Sequence, residues 1–186
     1  LEGEEEEEEE EEEGKMGDLA TGVLKVRVVK GRSLAVRDIR SSDPYVVLKL
    51  GNQVAKTRVI NSNLNPVWDE ELTLNISSTT PPSLKVEVFD KDTFSADDEM
   101  GNAEIDLQPL AASVRMRKVL KGTPSATQIR KLVPSRENYL AKDSCICYVD
   151  GDMIQDLCLR LGNVESGELD MRLKWIDVPA VLDGRK

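Results

Sequence analysis

Hydrophobic and polar positions alternate along much of the chain from Gly22 onward. Leu24, Val26 and Val28 alternate with Lys25, Arg27 and Val29, and Val86 and Val88 with Lys85 and Glu87. Near the carboxyl end Leu169, Met171, Leu173 and Trp175 alternate with Asp170, Arg172 and Lys174. A period of two puts one set of side chains on a core and the other in water, which is the pattern of a half-buried strand. Strands are expected near 22–30, 44–50, 53–60, 69–75, 83–90, 100–106, 155–161 and 167–176. Gly51-Asn52, Asn65-Pro66, Pro81-Pro82 and Glu165-Ser166-Gly167 separate them with turn chemistry. Eight short strands punctuated in this way predict an all-β, antiparallel sandwich.

Residues 107–150 break the rhythm. Leu110, Val114 and the Val119-Leu120 pair have helical spacing and are surrounded by Arg115, Arg117, Lys118 and Lys121, so a short basic helix is expected. A further strand is expected near 128–133, and Cys145–Tyr148 with Met153–Leu161 reads as a hairpin around Asp150-Gly151. The segment is a partly helical insertion before the last two strands. An insertion of this length in a compact sandwich is more often functional than idle.

The 186 residues suit one domain rather than two. A net charge of −10 argues against anionic partners only if it is evenly spread, and residues 1–15 carry 11 Glu and one Lys. Without them 24 acidic and 24 basic residues remain. A run of glutamates buries no apolar surface and repels itself. Residues 1–15 are therefore expected to form a disordered tail, followed by one domain over 16–180 and a short tail over 181–186. Three cysteines and no histidine argue against a disulfide framework and against ordinary zinc sites. No apolar run reaches the roughly 18 residues of a membrane span and no signal-peptide pattern opens the chain, so a soluble, intracellular protein is expected.

Two loops concentrate carboxylates. Residues 36–45 read VRDIRSSDPY and residues 88–101 read VFDKDTFSADDEMG. Asp38 and Asp43 bracket the loop between the first two expected strands; Asp90, Asp92 and Asp98 bracket the one between the fifth and sixth. A sandwich gathers its loops at two ends, so the five carboxylates are expected to face a common cavity. Unit charges about 4 Å apart repel by roughly 4 kcal/mol at an effective dielectric near 20, which calls for a compensating cation. Calcium suits flexible oxygen-rich loops, and the lack of histidine disfavours transition metals. Asp97 and Glu99 are read instead as ordinary exposed loop residues. An EF-hand is excluded, because the sixth and twelfth positions counted from Asp90 are Ser95 and Gly101 rather than Gly and Glu. The phrase Val88–Thr93 also echoes an aspartyl-phosphatase nucleophile motif, but no strand–helix alternation supplies the α/β framework for that chemistry.

Taken together, Asp38, Ser42-Asp43-Pro44-Tyr45-Val46, Thr57, Leu64-Asn65-Pro66-Val67-Trp68, Phe89-Asp90-Lys91-Asp92 and Asp98 through Gly101 resemble a C2 domain, over most of 20–177. That resemblance implies two neighbouring Ca²⁺ ions held by Asp38, Asp43, Asp90, Asp92 and Asp98, with main-chain oxygens of Arg37 and Lys91 as further ligands. A first strand at 22–29 and an extra last strand at 168–176 resemble the type II connectivity. Pro134–Ala141, Gln155-Asp156 and Val164–Glu168 resemble the plant C2-domain abscisic-acid-related proteins. This implies calcium-dependent phospholipid binding, recruitment of abscisic-acid receptors and, in some members, stimulation of a small GTPase. It places the protein in the cytoplasm, peripherally at the plasma membrane, and in the nucleus. No catalytic residue is implied, and the zinc-finger catalytic domain of the related plant Arf GTPase-activating proteins has no counterpart in the sequence.

Phe94, in the middle of its loop, either enters a membrane interface or packs beneath the loop. Tyr45, Lys49 and Lys56 match positions of the basic cluster that binds phosphoinositide in C2 domains, although Val47 and Val54 stand where lysines are often found; a solvated strand face is the alternative reading. Anionic phospholipid is the expected partner. Nucleic acid is not, since neither a strong basic excess nor an aromatic stacking set is present. A calcium-dependent adaptor and a GTPase regulator acting through the insertion are the two functions carried forward.

Overall fold

The computed structural model describes residues 21–177; the expected tails over 1–15 and 181–186 lie outside the described residues. Ten strands and one α-helix are formed among the described residues. In chain order they are β1 (Gly22–Arg32), β2 (Pro44–Leu50), β3 (Gln53–Lys56), β4 (Val67–Ile76), β5 (Ser83–Asp90), β6 (Asp98–Asp106), α1 (Gln108–Arg115), β7 (Thr127–Leu132), β8 (Ser144–Val149), β9 (Asp152–Arg160) and β10 (Glu168–Asp177). One sheet has the order β3-β2-β5-β6 and the other β4-β1-β10-β9-β8-β7. Neighbouring strands run antiparallel throughout. The last strand lies between β1 and β9, which is the type II connectivity expected from the chain's first and last strands.

The alternation read from the sequence is the burial pattern. Leu24, Val26 and Val28, Val86 and Val88, and Leu169, Met171, Leu173 and Trp175 are at most 2 % exposed and share one core. The strand count is ten rather than eight because the insertion does not form a separate lobe. β8 pairs with β9 and β7 with β8, so the insertion continues the larger sheet and covers an edge that would otherwise present unpaired backbone groups. Asp150 and Gly151, with φ of 49° and 93°, make the tight hairpin turn between β8 and β9.

Two elements stop earlier than expected. β3 ends at Lys56 because the Thr57 hydroxyl accepts the Val46 N–H at 2.9 Å in place of a backbone carbonyl, while the Thr57 N–H still donates to the Val46 carbonyl at 2.9 Å. α1 buries Leu110, Ala111 and Val114, then gives way to a single 3-10 turn at Met116–Lys118 with no buried residue. Without an apolar face to pack, the helix has nothing to extend it to residue 121.

Gly101 closes the sandwich beside the acidic loops. The β5–β6 register shifts between Glu87/Asn102 and Phe89/Glu99, and Gly101 takes up the extra residue at φ 104°. Asn102 then bridges to Gly162, tying β6 to the loop between β9 and β10 of the other sheet. A Cβ at Gly101 would lie 2.5 Å from Val164 Cγ1 and 3.0 Å from Leu161 Cβ. Gly101→Ala is expected to destabilise the fold by at least about 2 kcal/mol, measured by urea denaturation.

In the larger sheet Arg32 of β1 donates to Glu168 and Asp170 of β10. Burial pushes the Asp170 carboxyl up, but the Arg32 guanidinium, the Cys158 thiol and the Lys30 charge together hold the group below its usual value of 3.8. A depressed carboxylate stabilises the fold above its unfolded pKa, and that contribution disappears as pH falls through the lowered folded value. Asp170→Asn is accordingly expected to cost about 1 kcal/mol at neutral pH. The deficit should shrink in thermal melts as pH falls through that lowered value, where the wild-type carboxyl is neutralised as well.

Candidate metal and membrane-contact site

Sheet register aligns the acidic residues before any side chain contributes. Pro44 at the start of β2 pairs with Asp90 at the end of β5, and Asp90 pairs with Asp98 at the start of β6. Asp43, Asp90 and Asp98 therefore share one end of the smaller sheet, on strands about 4.8 Å apart. The 33–43 loop brings Asp38 to the same end, within electrostatic reach of Asp90.

Asp90 is the centre of this arrangement. It is 1 % exposed; its Oδ1 accepts the Asp43 N–H at 2.5 Å, and its Oδ2 has no hydrogen-bond partner. Burial first, then the charges of Asp38 and Asp43, push its carboxyl above the usual range, against the pull of the Asp43 N–H. A buried carboxylate with a spare oxygen and like charges beside it is stabilised by a nearby cation.

Local hydrogen bonds fasten the loops. Ser42, fully buried, accepts the Arg37 N–H at 2.9 Å and donates to the Ala35 carbonyl at 2.9 Å. The Asp38 N–H bonds to the Ser41 carbonyl at 3.0 Å, and Asp43 Oδ1 accepts the Ser62 N–H at 2.6 Å. The Lys91 N–H donates to the Asp43 carbonyl at 3.0 Å, which ties the two acidic loops together.

Asp97 is not the ordinary exposed loop residue expected from its position. Its Oδ2 accepts the Tyr45 hydroxyl at 2.5 Å, and its Oδ1 accepts the Asp92 N–H at 3.0 Å and the Lys91 ammonium at 3.1 Å. The Tyr45 hydroxyl, followed by the Asp92 N–H, holds the Asp97 carboxyl down at about 2. Burial and then Asp97 push the Tyr45 phenol up to about 12. Asp97 thus folds the 91–97 loop back onto β2. Glu99 remains exposed, and its carbonyl rather than its carboxylate is used: it accepts Arg37 Nε at 2.9 Å.

Arg37, singled out for its main-chain oxygen, has a second role through its side chain. Its guanidinium also donates to both carboxylate oxygens of Glu165, at 2.7 and 3.1 Å. Two loops and the start of β6 are thereby pinned together at the acidic end, and Arg37 holds the exposed Glu165 carboxyl down at about 2. Neither the Arg37–Glu165 pair nor the Tyr45–Asp97 bond carries a local sequence signal, because the two members of each lie far apart along the chain.

Phe94 is fully exposed at 101 %, so it does not pack beneath its loop. Ile39, unnoticed in the sequence, is 98 % exposed on the 33–43 loop. Single exposed apolar residues are commonplace; here both acidic loops carry one. Of the basic-cluster positions, Tyr45 stacks on Phe89 with ring centroids 5.8 Å apart, Lys49 is paired with Glu87 at 2.6 Å, and Lys56 is exposed on β3.

The oxygen-only donor set and the orphaned Asp90 oxygen fit a hard divalent cation. As they stand, no three His, Cys, Asp or Glu side chains among the described residues are gathered closely enough to hold a metal ion.

Comparison with known proteins places this geometry in a family. The C2 domain family profile matches residues 22–121. The chain is 50 % identical over 158 residues to GTPase activating protein 1 of Oryza sativa subsp. japonica, covering 85 % of this chain and 93 % of the rice protein. It is 48 % identical over 158 residues to Protein C2-DOMAIN ABA-RELATED 11 of Arabidopsis thaliana, covering 85 % and 95 %. This chain belongs to the C2-domain ABA-related family. Among solved structures, the calcium-bound pair of C2 domains of extended synaptotagmin 2 superposes with a TM-score of 0.55 at 26 % identity, over 85 % of this chain and 46 % of that one. The C2-domain ABA-related chain is therefore a C2 binding module in which the 107–150 insertion extends the larger sheet.

Proposed function

We propose that this C2-domain ABA-related protein is a calcium-dependent phospholipid-binding module that brings signalling partners to membranes. The observation that carries the reading is Asp90, a buried carboxylate with an unpartnered oxygen at the centre of an acidic loop cluster. Asp38, Asp43, Asp90, Asp92 and Asp98, with the carbonyls of Arg37 and Lys91, would hold two Ca²⁺ ions. When bound, calcium would bring the formal charge of the five carboxylates from about −5 to about −1 and offer open coordination positions to lipid phosphate oxygens.

The chain's own residues supply the other half of the switch. Without compensation, the loop carboxylates repel an anionic headgroup layer. Ile39 and Phe94 stand ready to enter the interface on either loop, and the exposed Lys56 adds about 1 kcal/mol near an anionic surface. Calcium in the extended synaptotagmin structure supports the metal assignment, and the names of the Arabidopsis relatives support abscisic-acid receptors as partners. Its place of action on this reading is the cytoplasmic side of the plasma membrane, with a share in the nucleus.

Liposome sedimentation tests it. Vesicles containing phosphatidylserine should pull the protein down with calcium and release it with chelator; sedimentation indifferent to calcium would reject the switch.

The name of the rice relatives favours a second reading, stimulation of a small GTPase. A trans-acting arginine accelerates phosphoryl transfer by stabilising developing charge. Arg117 is not free for that task, being bonded to Asp177 at 2.7 Å and to the Trp175 carbonyl at 3.0 Å. Single-turnover GTP hydrolysis by plant small GTPases should speed up when the protein is added, and an unchanged rate across them would discard this reading.

A further inference from the structure

Where the insertion meets β6, an edge of the smaller sheet, the sandwich forms a half-open pocket of about 380 Å³. Its size is within the range of small-molecule sites. Leu132 on β7, Leu140 on the loop that follows, and Leu157 and Leu159 on β9 give it an apolar lining. The wall made by the 133–141 loop is fastened, because the Arg160 guanidinium donates to the carbonyls of Ser135, Asn138 and Leu140.

Gln155 stands in this apolar setting at 1 % exposure. Its Nε2 donates to Ser144 Oγ at 3.1 Å, and Ser144 gives its single proton to the Asp156 carbonyl at 2.7 Å. Ser144 can therefore only accept from Gln155, which fixes the orientation of the amide. The Gln155 Oε1 atom is left buried without a partner. An orphaned amide oxygen carries a desolvation penalty that a bound donor would relieve.

The rim sets a charge preference. Glu104 and Asp106 are acidic, and Lys131 beside them is already paired with Asp143 at 2.6 Å. Anions are disfavoured at such a mouth. We propose that this cavity binds a small neutral or cationic amphiphile, an apolar body bearing one N–H or O–H donor that bonds to Gln155 Oε1. The site shares no residue with the acidic loops, so its test does not depend on the membrane reading.

Indole, which has one N–H donor, and 1-methylindole, which has none, are suitable probes. Titrated into the protein and followed by the methyl resonances of Leu132, Leu140, Leu157 and Leu159, indole should give saturable shifts confined to the cavity. It should bind about tenfold tighter than 1-methylindole. Gln155→Met, which keeps the volume but removes the acceptor, should bring that ratio to about one. Indole-3-propionate should bind more weakly than indole. No saturable shift up to about 5 mM indole, or equal affinities for the two indoles in the wild type, would overturn the site. Indole-3-propionate binding as tightly as indole would overturn the charge assignment.

Discussion

Asp90→Asn is expected to raise the melting temperature in chelator by about 2–4 °C while abolishing the rise that calcium produces in the wild type. Asparagine keeps the Oδ1 acceptor for the Asp43 N–H and removes a buried negative charge that lies near Asp38 and Asp43. Leaving such a charge uncompensated costs stability, and neutralising it relieves the cost. The same substitution deletes the central anionic ligand, so calcium-promoted liposome binding should fall at least about tenfold. The two readouts move in opposite directions, which a merely misfolded variant does not reproduce. Differential scanning fluorimetry with calcium and with chelator checks the first, and sedimentation over a calcium titration checks the second. An Asp90→Asn protein that binds calcium and liposomes like the wild type would show that the carboxylate cluster is not the metal site.

The double variant Ile39→Ser/Phe94→Ser separates metal binding from membrane binding. Both side chains are fully exposed, so replacing them removes no core contact and should leave folding and the calcium-induced melting shift unchanged. Transfer of each apolar side chain into an interface contributes at most roughly 2–3 kcal/mol. Partial insertion of both therefore predicts a loss of about 100-fold in lipid affinity at saturating calcium. Phospholipid titrations followed by tryptophan-to-lipid energy transfer would measure it. If lipid affinity is unchanged, the two residues do not enter the bilayer and docking rests on headgroup contacts alone.

Much of the fold was legible because its signal is local. In β1, β5 and β10 a residue's neighbours two positions away share its face, so alternation identified both the strand and its buried side. Asp90, Asp92 and Asp98 were legible for a related reason, since the loop that joins the neighbouring strands β5 and β6 inherits its place from their register, whereas Asp38 and Asp43 lie where the chain crosses from one sheet to the other. β8 was also visible, as the hairpin partner of β9, and β7 as a strand, but the pairing of β7 was not. Whether the rest of an insertion forms its own lobe or joins an existing sheet depends on which edge is open, and that edge is offered by β8, more than ten residues along the chain from β7. The helix and β3 were overextended for opposite reasons. α1 lost its packing surface after Arg115, and β3 met a threonine whose hydroxyl competes for the backbone.

The amino-acid sequence by itself determined that this chain would be an antiparallel sandwich with Asp38, Asp43, Asp90, Asp92 and Asp98 in two loops. Those features follow from periodicity, turn chemistry and residue type, each expressed within about ten residues of chain. Tertiary structure alone decided that Asp90 would be the buried one. It also gave Asp97 to Tyr45, made the Arg37 side chain a strut to Glu165, left Ile39 exposed on its loop, and opened a cavity around Gln155 at the seam of the insertion. Each of these depends on groups far apart in the chain meeting at a shared surface, and on how water and partners are divided among them there. That division is a property of the packed sheets, and no short stretch of residues carries it.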